Sequence, residues 1–484
     1  MPLDAARPEL NAMAAVAALM AIWWVTEAIP VAVTGLLPLV LLPLFHLTPA
    51  KDVAAAYGNR MLFLFLGGFL IALAIQESGL HRRIALTVID WVGHGARRLV
   101  LGMILATGLL SMWMSNTATT ILMLPIAGSL LAQVDATPLD PQRRKNFGRA
   151  LMLGIAYSAS LGGLATLVGT PTNVLFKQHY VTAFEGRAPD ITFGGWMLFA
   201  TPLSLGLLLI CWGLLALVLF PVGAGALTDR DLVASERRKL GPMSPAERRA
   251  GLVFLITAIL WIFREPVPGV GWAPLFSLGR GSDGLEPIDD TSIAVVMASL
   301  CFVIPQRGLQ GAPLLSWKSA GNLPWGILLL YGGGLALADG MRHTGLDSYL
   351  AGKLALGLEG SSPIVVASIV TLLVSLLSEL MSNVACVNMT LPVTVSLAQA
   401  LDCDPRLLMI PTALAATCGF MLPVATAPNA IAYSTGRMET RDMVWAGLWL
   451  DLICVIAIMA SVVFIAAPLL GISYEGFPEW AQQP

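Results

Sequence analysis

Two apolar stretches in this chain are too long to be single membrane-spanning helices, and both are broken by nearly the same residues. A helix needs about 20 residues to cross the hydrocarbon layer. Residues 99–132 and 362–401 run well past that length. Each is interrupted by a polar triplet, Ser115-Asn116-Thr117 in one and Ser382-Asn383-Val384 in the other. Unpaired backbone amides and carbonyls are costly in lipid, so a break at membrane depth survives only where protein buries it or it lines a cavity. Each stretch therefore reads as a re-entrant helical hairpin with its polar tip near the midplane.

Further apolar segments lie at about 10–30, 31–46, 61–78, 150–176, 195–221, 250–263, 291–305, 324–341, 406–435 and 443–470. Only 12% of the 484 residues are charged, against about 25% in a soluble domain. The fold class is an all-α polytopic membrane protein surrounded by a lipid bilayer. A net charge of -2 without a basic tail argues against nucleic acid as a partner. The first apolar run is too long for a cleavable signal and leads into "WWVTEAIP". There is no P-loop, HExxH or GxSxG, so ATP-driven transport and intramembrane proteolysis lack their residues, and the chain is not expected to be an enzyme. The six cysteines form no CxxC and are read as small buried hydrophobes.

The two halves repeat each other. "LFLFLGGFLIALAIQESGL" (62–80) is echoed by "WGILLLYGGGLALADGMRHTGL" (325–346), each closing on Gly-Leu. Asn116 follows Gly79 by 37 residues, and Asn383 follows Gly345 by 38. Pro125 and Pro392 each come nine residues after the asparagine. After each hairpin comes another polar break, "GGLATLVGTPTN" (162–173) and "CGFMLPVATAPN" (418–429). An odd number of spans per half makes the repeats inverted, as in many secondary transporters, with the site at their interface. The domains are then 1–225 and 250–484, joined by a solvated cytoplasmic linker at 226–249. Basic or mixed loops at 81–98, 142–149, 228–249 and 436–442 all fall on one side, the cytoplasm by the positive-inside rule.

The four breaks ask for one chemistry. Helix N-termini with unpaired N–H groups suit carboxylate or sulfate oxygens. Asn116, Thr117 and Asn383 add amide and hydroxyl donors. Gly169-Thr170-Pro171 and Ala425-Thr426-Ala427 interrupt helices and free carbonyl oxygens, which suit Na⁺. One hairpin tip facing one broken helix makes an oxygen cage, and the repeat makes two, with an anion between them. Neither tip contains Lys, Arg, His, Asp or Glu. Counter-charge for a dianion would then come from co-bound Na⁺. Glu379, four residues before Asn383, is read either as a proton relay or as a brace for the hairpin.

These residues resemble the divalent anion:sodium symporters, over essentially the whole chain. The likeness is carried by "WWVTEAIPVAVTGLLPLVLLPL" (23–44), "SMWMSNTATTILMLPIA" (111–127), "GTPTN" (169–173), "SELMSNVACVNMTLPV" (378–393) and "FMLPVATAPNAIAYSTG" (420–436). The resemblance implies a homodimer in the bacterial inner (plasma) membrane. Each protomer would hold scaffold helices (about 10–78 and 250–341) and an elevator-type transport domain. The latter comprises the hairpins, the broken helices 150–176 and 406–435, and the helices 195–221 and 443–470. It implies one sodium site at Ser111, Ser115, Asn116 and Gly169, and another at Ser378, Asn383 and Ala425. Substrate carboxylates would meet Asn116, Thr117, Thr170, Pro171, Asn383, Val384, Thr426 and Ala427. Val384 stands where many members have Thr, Ala427 replaces a usual Pro, and Cys386 and Asn388 are less usual. The expected activity is sodium-coupled symport of C4-dicarboxylates such as succinate, malate or fumarate. The alternatives are citrate or sulfate as substrate, sodium-independent exchange or, in a different class, an anion channel.

Overall fold

A computed structural model describes residues 3, 4, 6–137, 140–223, 231–278, 287–308, 311–358 and 360–482. The described residues form helices and connecting loops, with no β-strands among them. Among the described residues, five helices are long and apolar enough to cross a membrane: Pro8–Thr26, Ala50–Ser78 with a break after its first turns, Asn116–Ala136, Phe193–Leu219 and Thr440–Leu470. The last two each include a stretch of π-helix, Leu214–Leu219 and Val462–Ala466, at matching places in the two halves.

Local signals explain the main boundaries. Gly79 and Gly345 take the left-handed conformation at φ 81° and 71°, ending helices Arg60–Ser78 and Trp325–Thr344. Glycine enters that region without the steric cost a Cβ incurs. A short helix follows each, Leu80–Val92 and Leu346–Leu356. The hairpins are Ala96–Ser111 with Asn116–Ala136, and Pro363–Ser378 with Asn383–Ala400. In both, a serine caps the second arm: Ser115 Oγ accepts from Ala118 N and Ser382 Oγ from Ala385 N, each at 3.3 Å. This satisfies one of the unpaired N–H groups that any helix start leaves.

Pro141–Gly163 stops, and Pro171–Ala183 resumes after a seven-residue break; Arg406–Ala415 stops, and Ala427–Ser434 resumes. The halves use their parts alike. Both hairpin arms pack on the pre-break helix of their own half, and each post-break helix packs on the second hairpin arm of the other half. Pro171–Ala183 thus lies against Asn383–Ala400, and Ala427–Ser434 against Asn116–Ala136. The first hairpin sits so close to its pre-break helix that a Cβ on Gly162 would fall 2.2 Å from the Gly108 carbonyl oxygen. Around this core, Arg60–Ser78 packs with Pro245–Ile262 and Asp290–Val303, and Pro8–Thr26 packs with Trp325–Thr344. All six cysteines are buried and unbridged.

Part of the stretch expected as a solvated linker is folded, while 224–230 lie outside the described residues. Asp231–Lys239 is a helix docked on Leu80–Val92 through Arg82–Glu236 at 3.0 Å and Arg237–Asp90 at 2.6 Å. The next helix opens with a capping box between Ser244 and Glu247, and Glu247 also binds Arg83 at 2.8 Å. A charged stretch is solvated by default, but here acids on one helix meet bases on the other, and the charges neutralise pairwise.

Candidate functional site

The first hairpin tip lies directly against the first break. Ser111 Oγ donates to Asn116 Oδ1 at 2.8 Å and reaches the Ala159 carbonyl at 2.6 Å. The position that a Cβ on Gly163 would take is 2.8 Å from Asn116 Oδ1 and 3.0 Å from the Gly169 carbonyl oxygen. Two of the expected oxygens, from tip and break, therefore converge on one spot. Thr166 ties tip to break as well: its hydroxyl donates to the Met112 carbonyl at 2.5 Å and accepts from Gly169 N at 3.0 Å. Residues 161–170 are all buried. Thr170 Oγ1 is among them and has no hydrogen-bond partner. Ser115 serves as the helix cap, and Thr117 and Pro171 are half-buried beside it and at the start of the resumed helix.

The second half also sets the end of its hairpin's first arm against its break, through different contacts. Ser378 Oγ donates to the Ser375 carbonyl at 2.8 Å and to the Cys418 carbonyl at 3.2 Å. From a Cβ position on Gly419, Ser378 O and Oγ lie at 3.1 and 3.3 Å and the Ala425 side chain at 3.3 Å, so Ser378 and Ala425 are neighbours. Asn383 Oδ1 is buried with no donor, a bare oxygen of the kind a cation would neutralise. Val384 is buried and brings no polar group. Thr426 Oγ1 accepts from Asn429 N at 3.3 Å, capping Ala427–Ser434. Ala427 is exposed, and Val424 is 83% exposed. The first break is closed over and the second is open.

Glu379 braces the second break. Its Oε1 accepts from Phe420 N at 2.5 Å and Met421 N at 2.8 Å, and its Oε2 from Leu422 N at 3.0 Å. A carboxylate is the one side chain able to accept all three amides of an unwound segment at once.

Several residues that fix this geometry escape a search for substrate donors. Tyr157 reaches from the first pre-break helix to the Phe420 carbonyl at 2.9 Å. Thr172 and Thr417 share a hydroxyl bond of 2.7 Å, joining the two breaks. Asn388 Oδ1 accepts from His179 Nε2 at 3.1 Å and its Nδ2 donates to the Leu330 carbonyl at 3.4 Å, linking a hairpin to a surrounding helix. A buried ionic cluster also joins core to surround: Lys177 binds Asp190, and Arg264 binds Asp190 at 2.9 Å and Asp290 at 2.8 Å. The only signal for these in the sequence is a polar residue inside an apolar run, which does not say what it touches.

Residues 3–472, which contain all of these elements, match the model of the sodium:sulfate symporter transmembrane region. The chain belongs to that family. It is a multi-pass membrane transporter and not an enzyme. The protein named sodium-dependent dicarboxylate transporter SdcS of Staphylococcus saprophyticus is 39% identical over 458 residues, covering 94% of this chain and 85% of that protein. The protein of the same name in Staphylococcus aureus is 37% identical over the same shares. Two solved structures share the fold. The YdaH transporter of Alcanivorax borkumensis has a TM-score of 0.56 and 17% identity, covering 85% of this chain and 87% of that one. MtrF of Neisseria gonorrhoeae has a TM-score of 0.57 and 14% identity, covering 88% and 86%.

Proposed function

We propose that this transporter is a sodium-coupled symporter of C4-dicarboxylates such as succinate, malate and fumarate, working as a homodimer in a bacterial plasma membrane. The observation that carries the reading is the doubled oxygen site. In the first half Ser111 and Asn116 lie against the Gly169 carbonyl, in the second Ser378 lies against the Cys418 carbonyl and Ala425, and Asn383 Oδ1 is left bare; these contacts support two cation sites. Two cation sites without a fixed positive charge in either tip make anion binding depend on the cations being present. The relatives named sodium-dependent dicarboxylate transporters support both ion and substrate class. Sodium would meet Ser111, Ser115, Asn116 and Gly169 in one half and Ser378, Asn383 and Ala425 in the other. The carboxylates would meet Asn116, Thr117, Thr170, Pro171, Asn383, Val384, Thr426 and Ala427. The hairpins are re-entrant in this reading, the two halves are inverted, and the core moves past the surrounding helices as an elevator.

The test is labelled succinate uptake into proteoliposomes. Uptake should need an inward sodium gradient and should fall to background in Asn116→Ala and in Asn383→Ala, with expression intact. Uptake driven equally well by internal succinate, with no sodium on either side, would replace symport by exchange.

A further inference from the structure

The two breaks are closed by the same device at the same register. Asn173 Nδ2 donates to the Gly163 carbonyl at 3.2 Å and to the Thr166 carbonyl at 2.8 Å, ten and seven residues back. It also reaches the Leu164 carbonyl at 3.2 Å. Asn429 Nδ2 donates to the Gly419 and Leu422 carbonyls, each at 3.0 Å, again ten and seven residues back. Both asparagines are fully buried, and in both the Oδ1 has no donor. The first amide therefore ties the resumed helix to the last residue of the preceding one, and the second ties it to Gly419 and Leu422 inside the break. Between those anchor points lie Gly169 in the first half and Ala425 in the second.

We propose that Asn173 and Asn429 are paired positioning residues for sodium, each setting the direction of the break carbonyls in its own half-site; this rests on the symport reading. An unwound segment of seven or more residues has many backbone conformations, and few of them aim a carbonyl at a hairpin tip. The amide selects one of these by holding two carbonyls on the near side of the loop. The device needs a donor able to serve two acceptors at once. An NH₂ group does this, whereas a carboxylate has no donor to offer.

The test titrates sodium at saturating succinate in the proteoliposome assay, for Asn173→Ala, Asn173→Asp, Asn429→Ala and Asn429→Asp. Each variant should raise the half-activating sodium concentration by about tenfold or more, with a smaller change in the succinate KM at saturating sodium. Asp should be no better than Ala, because it keeps the oxygen and loses the donor. Sodium-induced thermal stabilisation of the purified protein without substrate should shrink in parallel. If a variant does not fold, Asn173→Ser and Asn429→Ser keep one donor and are read the same way. Unshifted sodium activation in folded variants, beside a sodium-dependent parent, overturns the proposal alone. A parent whose uptake ignores sodium overturns the symport reading and this proposal together.

Discussion

Glu379 is buried beside the second break, where its carboxylate accepts from three backbone amides. Three backbone N–H groups, from Phe420 to Leu422, have no helical carbonyl to bond because the helix is unwound at that point. A buried donor left unpaired costs about 1–3 kcal/mol. Glu379→Ala should therefore lower stability by about 3 kcal/mol or more, measured by thermal unfolding in detergent. Glu379→Gln keeps one carbonyl acceptor and should lose less, with sodium-dependent uptake retained. Loss of uptake in a well-folded Gln variant would show instead that the carboxylate itself takes part in transport. The sequence does not show the bracing contacts because they are made to residues some 40 positions away. For the same reason the hairpin asparagines are legible as site candidates, while the clamping asparagines 173 and 429 are not. Both stand at the ends of motifs that invite a reading for their glycine and proline, and their partners are carbonyls, which the sequence does not mark.

At the scale of elements, hairpins and breaks are legible because a polar triplet inside an over-long apolar run admits few structures in lipid. The helix ends at Gly79 and Gly345 are legible for the same kind of reason, both being left-handed caps. The helix Asp231–Lys239 is not, since among its described side chains it buries a single valine, Val233, and its ion pairs are made to residues of a helix far back in the sequence. Arg83 is the hinge of that docking. It binds Glu247 through Nε at 2.8 Å and the Gly241 carbonyl at 3.0 Å, fastening the turn between the docked helix and the one that follows. Its side chain is 19% exposed and that of Glu247 8%, so solvent screens the pair only in part. Hydrogen bonds to a charged group are worth about 1.5–3 kcal/mol, so Arg83→Ala should raise tryptic cleavage near Arg237, Arg238 and Lys239 about tenfold or more. Unchanged cleavage would mean that the ion pairs Arg82–Glu236 and Arg237–Asp90 hold the helix alone.

At the scale of the whole molecule, the question is how the core is held to the helices around it. Among the described residues the polar links between them include Asn388 to the Leu330 carbonyl, Arg342 to the Thr182 carbonyl at 3.2 Å, and a buried ionic cluster. Lys177, on the first post-break helix, and Asp190, in the loop after it, meet Arg264 and Asp290 from the helices Pro245–Ile262 and Asp290–Val303 and the loop between them. Asp290 also accepts from Phe193 N at 3.1 Å, where the next core helix begins. Lys177, Arg264 and Asp290 are each 5% exposed or less. Taking charges out of water is expensive, and the cluster is tolerable only because every member is paired. Removing one partner leaves the others buried and uncompensated. Arg264→Ala should therefore cost about 3–5 kcal/mol. Arg60 pairs with Asp289 at 2.9 Å, lines one cavity together with Lys177, Asp190, Arg264 and Asp290, and has a side chain 55% exposed. Arg60→Ala should cost less than about 1 kcal/mol, as solvent-screened pairs do. If the core slides past its surroundings during transport, the Arg264 contacts must break and reform in each cycle. A milder variant, Arg264→Lys, keeps the charge and loses the fork that reaches Asp190 and Asp290 together. It should then lower stability while changing the uptake rate at saturating sodium and succinate, because the buried cluster loses part of its hold. Thermal unfolding and initial uptake rates of the Ala, Lys and Arg60→Ala variants, measured side by side, check the whole set. Equal stability loss in Arg264→Ala and Arg60→Ala would mean that the buried cluster holds the core no more firmly than a surface ion pair.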